Sequence, residues 1–255
     1  MTPIRFTCAG RTDVGVVRSG NEDNYLMVPD RAVFIVADGM GGHAAGEVAS
    51  EMAVRIIAQQ LGDPRSLDES TASHRIREAI REANAQIFDR TLTEHDKRGM
   101  GTTATALVLM GSRYLIGQVG DSRAYLLRDG KLVQLTKDHS YVQEQVDAGY
   151  LTPEDARTHP YSNVITRCVG ANEDVVPDTY LGTLRPGDVF LLASDGLTGM
   201  IDDPRLHDLL AAAPGPQEAS DALVTEANRG GGLDNITVIV VRIDAVESTV
   251  PQPAR

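Results

Sequence analysis

The sequence predicts an α+β fold: two antiparallel β-sheets packed face to face, with a pair of helices over each outer face. Three observations carry that expectation. Short β-branched runs recur along the chain, each bounded by Gly, Asp or Asn. They follow one another directly instead of alternating one by one with helices, which favours antiparallel pairing over βαβ units. Two helical pairs interrupt them, so the order is strands, two helices, strands, two helices and a final strand.

The first strand-like stretch is 24–28, and the apolar run AVFIVA follows at 32–37. A helix comes next, with Val48, Met52 and Ile56 beside Ala49, Ala53 and Ile57 in adjacent i, i+4 rows, ending near Gly62. A polar loop, 62–70, leads to its partner, which carries Ile76, Ile80, Ala83 and Ile87 at a 3.6-residue period. Strands are expected at 104–110, 114–119 and 124–127, and Asp129-Gly130 reads as a two-residue hairpin turn. Residues 138–172 break the regularity. Thr152-Pro153-Glu154-Asp155 looks like a helix start with a capping acid, and His159-Pro160-Tyr161-Ser162-Asn163 is polar and irregular. So long a connection is often a lid or binding flap; the alternative is a solvent-exposed excursion without a role. A strand at 189–193, helix starts at Asp203-Pro204 and Gly215-Pro216, and a last strand at 236–243 complete the domain. One domain over 1–243 is expected, with 244–255 a disordered tail.

The chain has 255 residues, 42% of them hydrophobic and 24% charged, which is too apolar for a disordered chain. At that length a single core can bury ~75% of the unfolded surface. The 36 acidic against 24 basic residues leave a net charge of −12. That balance argues against non-specific nucleic-acid binding and against attraction to an anionic membrane. Cys8 and Cys168 form no C-x-x-C pair, and neither begins a C-x5-R phosphate cradle. A disulfide framework, a thiolate zinc site and a thiolate phosphatase are therefore disfavoured, and both cysteines read as reduced packing residues. There is no apolar leader and no run near the ~20 residues of a membrane span. The expectation is a soluble, cytoplasmic monomer.

Acidic residues share one placement, where an apolar strand meets a Gly-containing loop. Asp38 follows 32–37 and precedes Gly39-Met40-Gly41-Gly42-His43; Asp121 follows 114–120; Asp195 follows 189–194; Asp234 stands before 236–243; and Glu22-Asp23 precede 24–28. The alternative for any one of them is a plain turn, as at Asp129-Gly130. Several together, at strand ends that one cleft could gather, point elsewhere. Crowded carboxylates either raise one another's pKa or bind cations, and all-oxygen ligands select Mg²⁺ or Mn²⁺. Two such ions ~4 Å apart can activate water against a phosphoryl group, so the expected reaction is phosphoester hydrolysis without a covalent intermediate. A nuclease or phosphodiesterase would use similar carboxylates, but the acidic balance weighs against it. The loop at 39–46 also fits a weak dinucleotide pattern, yet Asp38 would press against the pyrophosphate. No Walker-type G-K-[ST] occurs.

The ordered set Arg18-x-x-Asn21-Glu22-Asp23, Val36-Ala37-Asp38-Gly39-Met40-Gly41-Gly42, Gly101-Thr102-Thr103, Gly120-Asp121-Ser122-Arg123, Ser194-Asp195-Gly196 and Asp234-Asn235 resembles the type 2C (PPM-family) serine/threonine protein phosphatases. The flap sequence resembles the bacterial branch. The resemblance implies Mn²⁺- or Mg²⁺-dependent hydrolysis of phosphoserine and phosphothreonine by direct attack of a metal-bridging hydroxide, opposing a bacterial Ser/Thr kinase. It implies that Asp38 bridges two core ions, that the Gly39 carbonyl is a ligand to one, and that Asp195 and Asp234 hold the other. Glu22 and Asp23 would act through water, and Asp121 with Asp195 would match a third, weaker position. Arg18 would bind the substrate phosphate bidentately; the alternative is a salt bridge with Glu22. His43 is the candidate general acid for the leaving alkoxide, against a capping or packing role. His139 and His159 lie in the flap and could meet the substrate peptide. A catalytically silent phosphoprotein-binding module is the rival from another class, and every expected carboxylate is present against it.

Overall fold

The computed structural model describes residues 4–41 and 45–246. Two antiparallel sheets form the centre. One runs in the order β1 (Ile4–Asp13), β11 (Ile236–Val246), β10 (Val189–Ala193), β7 (Arg123–Arg128), β8 (Lys131–Gln134). The other runs β2 (Asp23–Val28), β3 (Val33–Met40), β5 (Ala104–Met110), β6 (Arg113–Val119), β9 (Asp178–Thr183), and the short β4 (Gly101–Thr102) pairs with the end of β3. Helices α1 (Ala45–Leu61) and α2 (Glu69–Thr93) cover the second sheet; α6 (Asp203–Ala212) and α7 (Pro216–Arg229) cover the first.

The strands read as unbroken apolar runs because both faces are buried. Along β3, Val33, Ile35 and Ala37 face α1 and α2, with Ile57, Ile76 and Ile80 in the same cluster. Phe34 and Val36 face the other way, into the inter-sheet layer with Phe190, Leu192, Ile239 and Val241. Leu191 and Val238 face α6 and α7 through Leu206, Leu210 and Leu223. The result is four layers, as expected. Of the two helix rows in α1, the Ala49, Ala53, Ile57 row is fully buried, and Val48, Met52 and Ile56 pack at its margin. At the β7–β8 hairpin, Asp129 and Gly130 take φ of 50° and 72°, the left-handed pair that a two-residue turn demands.

Several boundaries differ from the sequence reading. The cap of α6 is Asp202, whose carboxylate accepts from the Arg205 N–H at 2.9 Å, so that helix starts one residue earlier than the Asp203-Pro204 pair suggests. Asp68 caps α2 in the same way and shortens the polar loop. The last strand continues to Val246, three residues past the expected domain end at 243, because Ala245 and Val246 still pair with β1. The rest of the tail lies outside the described residues. Within 138–172 the Thr152–Asp155 capping box begins α4 (Pro153–Thr158), and Ser140 caps a further helix, α3 (Tyr141–Asp147). Cys8 packs against the inter-sheet layer and both cysteines are free. Among the described residues no helix is long and apolar enough to cross a membrane.

Candidate metal centre and phosphate cleft

All the predicted carboxylates come together at one end of the sandwich, where strands of both sheets stop. Antiparallel pairing of β2 with β3 sets Asp23 opposite Asp38. The Asp38 backbone is held by β4 and the residue after it. Thr103 Oγ1 accepts from the Asp38 N–H at 2.9 Å, and the Thr103 N–H and Thr102 hydroxyl donate to its carbonyl at 2.8 and 2.9 Å. From the other sheet, β10 is followed by Ser194, whose hydroxyl donates to Asp23 Oδ2 at 2.7 Å and accepts from the Thr237 N–H at 2.9 Å. One serine thus ties the two sheets together beneath the cleft. Asp195 opens the one-turn helix α5 (Asp195–Thr198) directly after it. Asp121 sits between β6 and β7, where the Ser122 and Thr103 hydroxyls meet at 2.7 Å.

Asn235 organises the remaining wall. Its side chain accepts from the Glu22 N–H at 2.8 Å and donates to the carbonyls of Val14 and Gly20 at 2.9 and 2.8 Å, fastening the 14–22 loop. Glu22 is thereby set beside Gly46 at the start of α1, where burial raises its carboxyl and Arg18 and the Gly46 backbone oppose the rise. Only glycine fits at position 39: a Cβ there would collide with the carbonyl oxygens of Gly46 and Glu22. Arg18 is exposed and places Nη2 2.7 Å from Asp234 Oδ2. Its ion-pair partner is therefore Asp234, a predicted ligand, and not Glu22.

The electrostatics follow from burial and crowding. Asp23 is 5% exposed, and burial, with the charges of Asp195 and Asp234 beside it, pushes its carboxyl up to about 7. Burial also pushes Asp38 and Asp121 well above the usual carboxylate range, with neighbouring aspartates adding to the effect, and raises Asp195. Asp38 and Asp195 keep part of their surface open to the cleft yet are walled by protein elsewhere. The contact between the Asp38 and Asp195 carboxyls adds to the rise at Asp38 and offsets part of the rise at Asp195. Asp23 Oδ1 is buried without a hydrogen-bond partner.

This donor set fits hard divalent ions: acidic oxygens that repel one another, a backbone carbonyl at Gly39, and an orphaned carboxylate oxygen. Among the described residues no group of three His, Cys, Asp or Glu side chains converges tightly enough to enclose an ion alone. Such a shell suits Mg²⁺ or Mn²⁺ completed by water, since Mg²⁺ dehydrates reluctantly. His43 lies outside the described residues.

The two histidines of the flap segment sit in different surroundings. His139 is 7% exposed and does not face the cleft. Its Nδ1 accepts from the Gly120 N–H at 3.0 Å, and its Nε2 lies 3.0 Å from Asp178 Oδ2 and 2.9 Å from Arg167 Nη1. Burial lowers its pKa, so it is a neutral prop for the Asp121 turn. His159 stacks in the flap with Tyr141 and Tyr161. The residues that sequence reasoning left without roles are Thr102, Thr103 and Ser194. Their signal was their place in the Gly101-Thr102-Thr103 and Ser194-Asp195 motifs, but their bonds to Asp38 and Asp23 join segments 64 to 171 residues apart.

Comparison with known proteins agrees with this geometry. The family model described as protein phosphatase 2C matches residues 18–225. A serine/threonine phosphatase stp of Listeria welshimeri is 42% identical over 235 residues, covering 91% of this chain and 93% of that protein. The crystal structure of the Mycobacterium tuberculosis serine/threonine phosphatase PstP superposes with a TM-score of 0.88 at 40% identity, covering 94% of this chain and 99% of that one. A structure of the PstP catalytic domain in complex with two manganese ions gives 0.84 at 38% identity, with the same coverage. By sequence, fold and the carboxylates it gathers, the chain belongs to the protein phosphatase 2C family, in its bacterial branch.

Proposed function

We propose that this cleft removes phosphate from phosphoserine and phosphothreonine in proteins, with two core Mn²⁺ or Mg²⁺ ions and a third, weaker one. The observation that carries the reading is the set of aspartates from four strand ends, each raised by burial among the others. Asp38 would lie between the core ions, the Gly39 carbonyl on one, and Asp195 and Asp234 on the other. Glu22 and Asp23 would hold coordinated waters, and Asp121 with Asp195 would hold the third ion. Bound there, such ions lower the pKa of water and draw charge from the phosphoryl oxygens. Arg18, exposed at the cleft edge, would turn its planar guanidinium to the substrate phosphate. Ser194, Thr103 and Asn235 act behind these groups, holding Asp23, Asp38 and the 14–22 loop in place. His43 is proposed as the acid that protonates the leaving alkoxide. The substrates presuppose a Ser/Thr kinase that makes them, and we place the enzyme as a monomer in the cytoplasm with that kinase.

The test pairs a phosphothreonine peptide with a phosphodiester. The peptide is expected to be hydrolysed in Mn²⁺ and the diester not; the reverse order of rates would favour a nuclease-like enzyme. Arg18→Ala should raise KM for the peptide about tenfold, the loss of one charge-assisted phosphate contact. An unchanged KM would leave Arg18 as a partner of Asp234 alone.

A further inference from the structure

We propose that the recess beside the carboxylate centre is a subsite for a basic side chain, Lys or Arg, flanking the phosphorylated residue of the substrate. This rests on the phosphatase reading of the cleft. The recess has a volume of about 600 Å³, ample for a long side chain and a stretch of backbone. Asp121 and Asp195 form one end of it, so it is continuous with the point where the phosphate sits. The flap forms the opposite wall through α3 and α4, and the start of α6 closes the side.

Its walls and its charges select the same chemistry. Val142, Val146, Pro153 and Pro204 line it, an aliphatic surface for the methylene stem of Lys or Arg. At its base, Arg123 makes three hydrogen bonds to Asp138 at 2.7 to 3.0 Å and one to the Tyr125 hydroxyl at 3.1 Å. The charge of that cation is matched by the Asp138 carboxylate, which leaves it little pull on an acidic ligand. The rim carries Glu154, Asp202 and Asp203 against Arg157, which donates to the Thr198 carbonyl at 3.4 Å. Asp203 is tied to the Tyr125 hydroxyl at 3.3 Å. Arg205, the cation next along α6, places its guanidinium against Glu226 at 2.8 Å. Glu154 and Asp202 are exposed; one Asp202 oxygen caps α6, and the other, with the Glu154 carboxylate, can meet a cation from the substrate. Because the recess adjoins the carboxylate centre, the favoured Lys or Arg is a near neighbour of the phosphorylated residue.

The experiment measures kcat/KM of the Mn²⁺-loaded enzyme on phosphothreonine peptides that carry Lys, Ala or Glu at each flanking position. Lys at one flank should exceed Ala by about fivefold, the scale of two exposed ion pairs. Glu should fall below Ala, and the spread should narrow at high salt. The double variant Glu154→Gln, Asp202→Asn, in which Asn still caps α6, should bring the Lys and Ala peptides to equal rates. Its hydrolysis of p-nitrophenyl phosphate should be unchanged. Equal wild-type rates on all three peptides, a preference for Glu, or a Lys preference that survives the double substitution would overturn the subsite alone. Failure of the metal-loaded enzyme on every peptide would overturn the phosphatase reading and the subsite with it.

Discussion

Asp38→Asn is expected to lower turnover on a phosphothreonine peptide by about a hundredfold or more, with the fold intact. Asn is isosteric with the protonated carboxyl that Asp38 carries when no cation neutralises the site, because burial and the neighbouring aspartates hold its pKa well up. Its backbone anchors to Thr102 and Thr103 do not depend on the side chain. Metal-free stability should therefore stay within about 1 kcal/mol of wild type, while the stabilisation gained from Mn²⁺ should largely vanish. Urea unfolding with and without Mn²⁺, set beside steady-state kinetics, separates the two effects. Near-normal turnover would remove Asp38 from the centre of the mechanism, and a large loss of metal-free stability would make it a structural residue.

The metal-free wild type should become less stable as the pH rises from about 4 to about 8. Asp23, Asp38, Asp121 and Asp195 all have folded pKa values raised, first by burial. A group raised in the folded state binds its proton more tightly there than in the unfolded chain. Its contribution is complete below the ordinary aspartate value and is lost as the pH passes the folded value. For Asp23 the window runs from 3.8 to about 7, and the loss is on the order of 4 kcal/mol. Divalent cations bind the ionised forms, so Mn²⁺ should raise the melting temperature strongly at pH 7.5 and little at pH 5. Thermal melts in chelator and in Mn²⁺ across this range check both halves. A metal-free protein whose stability climbs steadily from pH 5 to 8, or a Mn²⁺ effect equal at both ends, would contradict the crowding of these carboxylates.

Much of the fold was legible because its strands are buried on both faces. The runs at 104–110 and 189–193 coincide with β5 and β10 residue for residue. Where only one side chain in two is apolar and the run is broken, legibility fell. In β1, Ile4, Phe6 and Cys8 reach the inter-sheet layer while Arg5 and Thr7 are exposed, and Gly10 interrupts the pattern. In β9, Tyr180 is the side chain that packs there. Helix α3 buries Val142 alone, too little for a periodicity to show. The acidic residues could be found by their position at strand ends, which is a local property. Who meets whom could not: Asp23 faces Asp38 through strand register, and Arg18 meets Asp234 across 216 residues. The surroundings of His139 were hidden for the same reason. His139 sits in a polar, flap-like segment, but its ring is drawn inward by the Gly120 N–H.

The account also recasts the net charge of −12. Glu22, Asp23, Asp38, Asp121, Asp195 and Asp234 supply six negative charges, half of that excess, and they are gathered in one cleft instead of spread over the surface. An excess that repels phosphate when bare becomes a means of holding it once cations are bound. The most direct test strips the protein with excess chelator and follows phosphate release from a phosphothreonine peptide, before and after Mn²⁺ is restored in excess. The account predicts that release stops in chelator and returns with Mn²⁺. Full activity in excess chelator would contradict it.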